Sequence, residues 1–341
     1  MSQRIEQASR DTAPAGSIRF NTDSSKMEIY NGEQWWNIDA TSPELQTGGT
    51  RGLWVAGNNP TYYNEIQFAT IDTTGNTTDF GNINEGLAQV NVLCDRTRAV
   101  CGGGYDGSNN KDIIQFFTIA STGDATDFGD LASATRGMCS VSDKTRGIFC
   151  KGYVTPANIN VMQYVTIQST GNSVDFGDVP SSGNGSGNTH CSQTRGIIGQ
   201  CSDGSNSDVN RFITMSTLGD AADFGDQTST ATSAAGVGGN SVRGIAFKNN
   251  NSIDFLTIAT LGNSLDFGDT AVVGFNGGGV ASSPTRAVAG GGYNNPGSGS
   301  ANQNYMNYVQ ISTTGDAVDF GDLIRVISSV QGGSNGHGGL G

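Results

Sequence analysis

One tripeptide, Asp-Phe-Gly, occurs six times in this chain, with its aromatic ring at Phe80, Phe128, Phe176, Phe224, Phe267 and Phe320. The intervals are 48, 48, 48, 43 and 53 residues. A second marker, Arg followed by Gly or Ala, keeps the same period at Arg51, Arg98, Arg146, Arg195, Arg243 and Arg286. A glycine falls between the markers each time, at Gly75, Gly123, Gly171, Gly219, Gly262 and Gly315. Two markers holding one spacing make this a repeat protein, in which each unit buries its apolar face against its neighbours.

The third unit shows the local pattern. Thr145 to Cys150 is a short apolar run, strand A, and Lys151 to Asn160 reads as a polar loop. Val161 to Ile167 is strand B, and Ser169-Thr170-Gly171-Asn172 is a tight turn in which glycine supplies positive φ. Ser173 to Gly177 is strand C; a small-residue run such as Gly137 to Ser142 is strand D, and a two-residue turn such as Asp143-Lys144 leads back to strand A. No unit has a helical period. Four antiparallel strands six times over, without long open edges, predict an all-β, six-bladed β-propeller over residues 50–331. The repeated phenylalanines would pack between blades. The last strand D is expected at Ile324 to Ser329, pairing with the Arg51 strand to seal the ring, with residues 332–341 as a Gly-rich tail.

Composition narrows the function. The chain carries 18 basic and 31 acidic residues, a net charge of −13, so it has no electrostatic footprint for nucleic-acid phosphates. No apolar run is long enough to span a bilayer. Glycine reaches 51 of 341 residues but keeps no three-residue period, which excludes collagen. Met1 to Glu6 shows no apolar signal-peptide core, so a reducing compartment is expected. The six cysteines lack the Cys-x-x-Cys spacing of zinc sites. Cys94, Cys101, Cys139, Cys150, Cys191 and Cys201 are read as small buried hydrophobes. Disulfides Cys94/Cys101, Cys139/Cys150 or Cys191/Cys201 are the alternative, since each pair flanks a predicted hairpin turn.

The order Arg-led strand, double glycine, strand, aromatic strand and small-residue strand resembles kelch-type propeller repeats. Gly102-Gly103-Gly104 and Gly290-Gly291-Gly292 fall at the kelch double-Gly position, while Phe stands where kelch repeats carry Trp. The resemblance implies the propeller architecture rather than a kelch function.

Residues 1–16 read as a polar arm and 40–49 as a linker. Between them, 17–39 alternate as three short strands, with Asn31-Gly32 as a hairpin signal. Some 23 residues cannot bury a core alone. Ile18, Phe20, Ile29, Tyr30, Trp35 and Trp36 are therefore the expected attachment or oligomer contacts. The run Gly16 to Asp23, then Tyr30 to Gly32, then Trp35 or Trp36, resembles a module of tailed-phage virion proteins. The Gly-rich repeats are similar to structural proteins of phages that infect cyanobacteria. This resemblance implies a virion component assembled in the host cytoplasm, joined to other virion proteins through the N-terminal module, as a homo-oligomer with a trimer the expected state.

The candidate chemistry is that of binding. In an A-B-C-D meander the B–C and D–A turns share one end and are short and uniform. The A–B and C–D loops share the other and vary. The varied loops present Tyr62, Tyr63, Tyr105, Tyr153, Tyr293 and Tyr305, flat apolar area with hydrogen-bonding tips. They are the candidate ligand-binding residues for a host-surface glycan or protein; unrestrained loop variation is the alternative. Each Asp of Asp-Phe-Gly is a candidate ion-pair partner for a repeated Arg. The triplets Asp124/Asp127/Asp130, Asp220/Asp223/Asp226 and Asp316/Asp319/Asp322 suggest calcium ligands or turn caps, and capping is expected. Six copies of Asp-Phe-Gly without partner motifs exclude a kinase. His190 and His337, the only histidines, read as solvated loop residues. No catalytic residue, metal or cofactor is expected. The expected function is a tail-fibre adhesin. The alternatives are a non-catalytic capsid-decoration or baseplate protein and, more distantly, a polysaccharide-cleaving enzyme.

Overall fold

The structure, a computed structural model, describes residues 13–22, 26–37, 49–184, 189–199, 208–230, 234–271, 276–294 and 301–341. Most of the expected arm, the linker residues 40–48, Cys201 and the loop residues 295–300 lie outside the described residues. The chain divides into two compact units, residues 1–45 and 46–341. No helix among the described residues is long and apolar enough to cross a membrane.

The first unit is a three-stranded antiparallel sheet of β1 (Ile18–Asn21), β2 (Lys26–Tyr30) and β3 (Trp35–Asn37). The Asn31 side chain accepts from the Glu33 and Gln34 backbone N–H groups and shapes the second turn. Register pairs Ile18 with Ile29, Ile29 with Trp36, and Phe20 with Met27, so one face is wholly apolar, and it is exposed. Tyr30 and Trp35 occupy the opposite face. Their rings are 5.2 Å apart, and Arg19 stacks 4.1 Å from the Trp35 ring while pairing with Glu28. The six expected contact residues thus divide between two faces, because alternation in a strand separates Trp35 from Trp36.

The second unit is all-β and consistent with a β-propeller: six antiparallel sheets, each with four strands in the order D-A-B-C. Strand A is Arg51–Val55, Arg98–Gly102, Arg146–Val154, Arg195–Ile198, Arg243–Lys248 and Arg286–Gly290. Strand B is Tyr63–Thr70, Ile113–Thr118, Ala157–Thr166, Val209–Thr214, Ser252–Thr257 and Ala301–Gln310. Strand C is Thr78–Leu87, Thr126–Asp130, Val174–Asp178, Ala222–Asp226, Leu265–Asp269 and Val318–Ile327. Strand D is Gln331–Ser334 in sheet 1, then Asn91–Cys94, Cys139–Ser142, Thr189–Cys191, Ala234–Gly239 and Gly279–Ser282 in sheets 2 to 6. In sheet 6, Tyr293–Asn294 adds a short fifth strand. The expected loop 151–160 is instead a continuation of strands A and B, which meet at Thr155-Pro156.

The Asp-Phe-Gly motif is the joint between sheets. Each of the six phenylalanines is buried and meets a strand-B ring edge-on, with centroids 5.8 to 6.3 Å apart. Its carbonyl accepts from the turn-glycine N–H of the next sheet, at 2.7 to 2.9 Å. The last copy does the same to the first repeat, Gly75 N donating to Phe320 O. The Asn or Asp after each turn glycine accepts from the residue two past the phenylalanine, at 2.9 to 3.0 Å. Asp124, Asp220 and Asp316 are therefore caps reaching the preceding sheet, and Asp127, Asp223 and Asp319 stay exposed on their own strands. The motif glycine must be glycine: φ lies between +142° and +151°, and a Cβ on Gly177 would stand 2.5 Å from the Gly219 carbonyl oxygen.

The ion pairs expected between Arg and the motif Asp are replaced by another arrangement. Each guanidinium stacks 4.1 to 4.8 Å over the strand-B ring of its own sheet, from Phe68 to Tyr308. Its Nη1 donates at 2.7 to 3.2 Å to a carbonyl of the following sheet, from Ile119 for Arg51 round to Ile71 for Arg286. The motif Asp side chains are exposed. A backbone carbonyl satisfies the guanidinium without removing a carboxylate from water.

The closing strand is also displaced from its expected position. Ile324 to Ile327 continue strand C, and Gln331–Ser334 pairs with Arg51–Val55. It reads as tail because it is glycine-rich, yet close approach requires those glycines: a Cβ on Gly332 would meet the Val280 backbone at 2.2 Å, and one on Gly333 the Val92 side chain at 2.6 Å. The innermost strands are laced by short polar side chains. Ser142 Oγ donates to the Cys94 carbonyl, and Ser334 Oγ to the Ser282 carbonyl. The segment beyond is part of the fold too, a 3₁₀ turn at Gly338–Leu340 with all three residues buried.

Candidate functional site

The two ends of the sheets differ as the loop lengths imply. At the varied end each described C–D connection pairs with the next A–B loop: Asn58 with Ser328, Ala88 with Tyr105, Arg136 with Tyr153, and Asn276 with Tyr293. These bridges hold four side chains in one row. Tyr62 meets Tyr105 edge-on at 5.9 Å, and Arg136 lies 4.3 Å from the Tyr105 ring and 4.8 Å from the Tyr153 ring. All four are half-buried. Gly107 lies under Tyr62, where a Cβ would come within 2.7 Å of the ring. Beside the row, Lys111 pairs with Glu85 and Asp106 at 2.9 Å each. The backbone N–H of Asn109, then the Lys111 ammonium, pull the Asp106 carboxyl down to about 2.

The other candidate tyrosines are elsewhere. Tyr63 stacks under Arg325 at 4.3 Å, and that guanidinium grips Glu65 through Nε and Nη2. Tyr293 is in the short fifth strand of sheet 6, and Tyr305 is exposed on strand B rather than in a loop. Sequence reasoning found the tyrosines and missed Arg136, whose Arg136-Gly137 dipeptide matches the strand-A marker but falls off its period. It also missed a buried ion pair, Lys248 with Asp254. Strand B holds Gln67, Gln115 and Gln163 at the equivalent position, each accepting a backbone N–H from strand C or the C–D connection of the preceding sheet. Asp254 accepts from Thr228 N in the same way, so the pair belongs to that joint.

The uniform end holds a second cluster. Both histidines are packed, not solvated. His190 is 4% exposed, its ring lies on Gly244, and burial pushes its pKa down to about 3. His337 leads the final turn across the D–A mouth, where its Nε2 is 2.8 Å from the Cys94 carbonyl and its Nδ1 is 3.4 Å from Cys191 Sγ. Burial pushes the Cys191 thiol up, but the His337 charge and hydrogen bond, with the Ser142 and Gly339 N–H groups, outweigh it and hold the thiol below its ordinary range. Burial disfavours the His337 cation, and Cys191 with the Cys94 carbonyl outweighs that, raising its pKa. With the pair charge-separated, Nδ1 donates to sulfur; with it neutral, Nδ1 accepts from Gly339 N at 3.2 Å. Arg96 and Gln193 hold the Leu340 carbonyl, so the turn is latched over a cavity of about 70 Å³ between the innermost strands. The Cys191 sulfur lies against the donors that stabilise it.

Cys94, Cys101, Cys139 and Cys150 are buried thiols and Cys191 a half-buried one, none of them in a disulfide. Burial lifts the Cys101 thiol to about 12 and the Cys94 thiol higher still. Cys139 and Cys150 face each other in register on neighbouring strands. No three His, Cys, Asp or Glu side chains among the described residues converge to hold a metal. No protein-family model matches the chain, and no curated protein matches it.

Proposed function

We propose that the chain is a non-catalytic virion adhesin: a closed, six-bladed, kelch-like propeller that presents its Tyr-bearing loop end to a host surface, with the N-terminal sheet as its attachment module. One observation carries the reading, the contrast between the two ends. The motif bonds repeat six times with one geometry, running from the last repeat back to the first. The opposite end gathers Tyr62, Tyr105, Arg136 and Tyr153 from three consecutive sheets, with no repeat requirement to explain them. Gly103 and Gly104, both at positive φ, turn the chain at the kelch double-glycine position, as Gly291 and Gly292 do in sheet 6. The exposed face of Ile18, Phe20, Met27, Ile29 and Trp36 suits burial against virion partners or against further copies in a homo-oligomer.

A decoration or baseplate role is the second reading. It is favoured by Tyr63, whose ring and hydroxyl are already committed to Arg325 and to the Asn59 carbonyl. The test is binding of labelled full-length protein to cyanobacterial cells, with phage adsorption in competition. Saturable binding that blocks adsorption and falls at least tenfold in Tyr62→Ala/Tyr105→Ala supports the adhesin. Absence of binding across susceptible hosts, with hundreds of copies per particle, supports decoration.

A further inference from the structure

Among the described residues, the guanidinium of Arg136 has two tyrosine rings against it and no partner at its edge. It lies between Tyr105 and Tyr153. Its backbone N–H and carbonyl both pair with Tyr153, and its side chain makes no hydrogen bond or ion pair among the described residues. This is unusual in a chain with 31 acidic and 18 basic residues. Neighbouring Lys111 has two carboxylates. The six repeated arginines have carbonyls.

The protein contains its own example of what such a group takes. Arg325 also stacks on a tyrosine at the varied end, and its fork is filled by both oxygens of Glu65. Stacking fixes the plane of a guanidinium and leaves its N–H edge in the plane of the incoming group, which suits a two-oxygen acceptor. At Arg136 the stack is present and the carboxylate is missing. Tyr62, edge-on to Tyr105, extends the row with an aromatic surface of the kind against which sugar C–H groups pack.

We infer that Arg136, held between Tyr105 and Tyr153, is a binding site for the carboxylate of an acidic saccharide, whose sugar ring lies along Tyr62 and Tyr105. The inference deepens the adhesin reading by naming its ligand class, and it rests on that reading only for its biological setting. The Arg325–Glu65 pair favours carboxylate over sulfate, and the fork explains why lysine would not serve.

The test is calorimetric titration of full-length protein with three probes: hexagalacturonate, its carboxyl-reduced counterpart, and a sulfated hexasaccharide. Hexagalacturonate is expected to bind at least tenfold tighter than the reduced sugar and tighter than the sulfated one. Arg136→Gln and Arg136→Lys should each weaken it at least tenfold with unchanged melting temperature. Equal affinity for acidic and reduced sugars, tightest binding to the sulfated probe, no binding of hexagalacturonate, or an undiminished Arg136→Gln variant overturns the inference. The same variants on cells separate the two readings. Cell binding indifferent to Arg136 and to competing hexagalacturonate removes the inference and leaves the adhesin. Arg136-dependent sugar binding without cell binding does the reverse.

Discussion

Asn335 Oδ1 accepts the Arg51 backbone N–H at 3.1 Å across 284 residues of chain. In the other five sheets the same bond is local. Asp95, Asp143, Ser192, Asn240 and Ser283 each accept the N–H of the arginine three residues on. Asn335 thus completes, without a peptide link, the turn that the other units make within one hairpin. Asn335→Ala should cost about 1 kcal/mol by leaving a part-buried donor unmade. Truncation after Val330 also strips the strand from Arg51–Val55, so it should cost far more and broaden the unfolding transition. Urea denaturation of both variants checks this; a truncated chain that melts like the full one would remove the closing role of Gln331–Ser334.

The two glycines of each unit differ in what they tolerate. Gly171 has φ +154° and open space around a Cβ, whereas Gly177 has φ +142° and the neighbouring sheet's carbonyl oxygen 2.5 Å away. Gly171→Ala should cost about 1–3 kcal/mol from backbone strain alone. Gly177→Ala should exceed it by a further 1–3 kcal/mol, because the neighbouring sheet must shift. Paired equilibrium unfolding of the two variants reads the difference, and equal costs would mean that the joint between sheets is soft.

The repeats, the strand order, the buried phenylalanines and the short turns were legible in the sequence because each recurs with a fixed period. What escaped lacks a period or lacks a side-chain signature. The partner of each repeated Arg is a backbone carbonyl, and any residue supplies one. The closing strand hides in Gln331-Gly332-Gly333-Ser334, since tight packing selects glycine over the apolar pattern that marks the other strands. Cys191 and His337 are 146 residues apart and meet only because the final turn crosses the D–A mouth. Arg136 shares the Arg-Gly dipeptide of strand A but stands off its period, in a C–D connection, so nothing in its sequence context marks it.

His190 gives the protein an acid limb. Its folded pKa of about 3 is below the ordinary histidine value, so between those two values the unfolded chain binds a proton that the folded chain does not. Its contribution is complete above about pH 6.5, falls by about 1.4 kcal/mol per pH unit below that, and levels off near 3. In His190→Leu this slope should disappear, since Leu93 fills the corresponding contact with Gly147 two repeats earlier. Denaturation midpoints at pH 7, 6, 5 and 4 for both proteins test the assignment; parallel curves would refute it.

The Cys191–His337 pair sets opposite limits at the uniform end. The Cys191 pKa is depressed, so its contribution is present above the ordinary thiol value and is lost as pH falls through the folded one. The His337 pKa is raised, so its contribution is present below the ordinary histidine value and is lost as pH rises through the folded one. Each charge favours the other, so the latch over the cavity is strongest where thiolate and imidazolium coexist. Cys94 and Cys101 are pushed the other way by burial, so at neutral pH their thiols absorb little as thiolate. The part of the ultraviolet thiolate absorbance that rises below the ordinary thiol value should therefore report Cys191. It should vanish in Cys191→Ser and weaken in His337→Gln, which withdraws the cation and the sulfur's charged donor. His337→Gln should also speed alkylation of Cys191 above pH 9, by loosening the turn that Arg96 and Gln193 then hold alone. A thiolate signal unchanged in His337→Gln would mean that the Ser142 and Gly339 N–H groups ionise the sulfur without the histidine, and that the latch is a set of backbone hydrogen bonds rather than an ion pair.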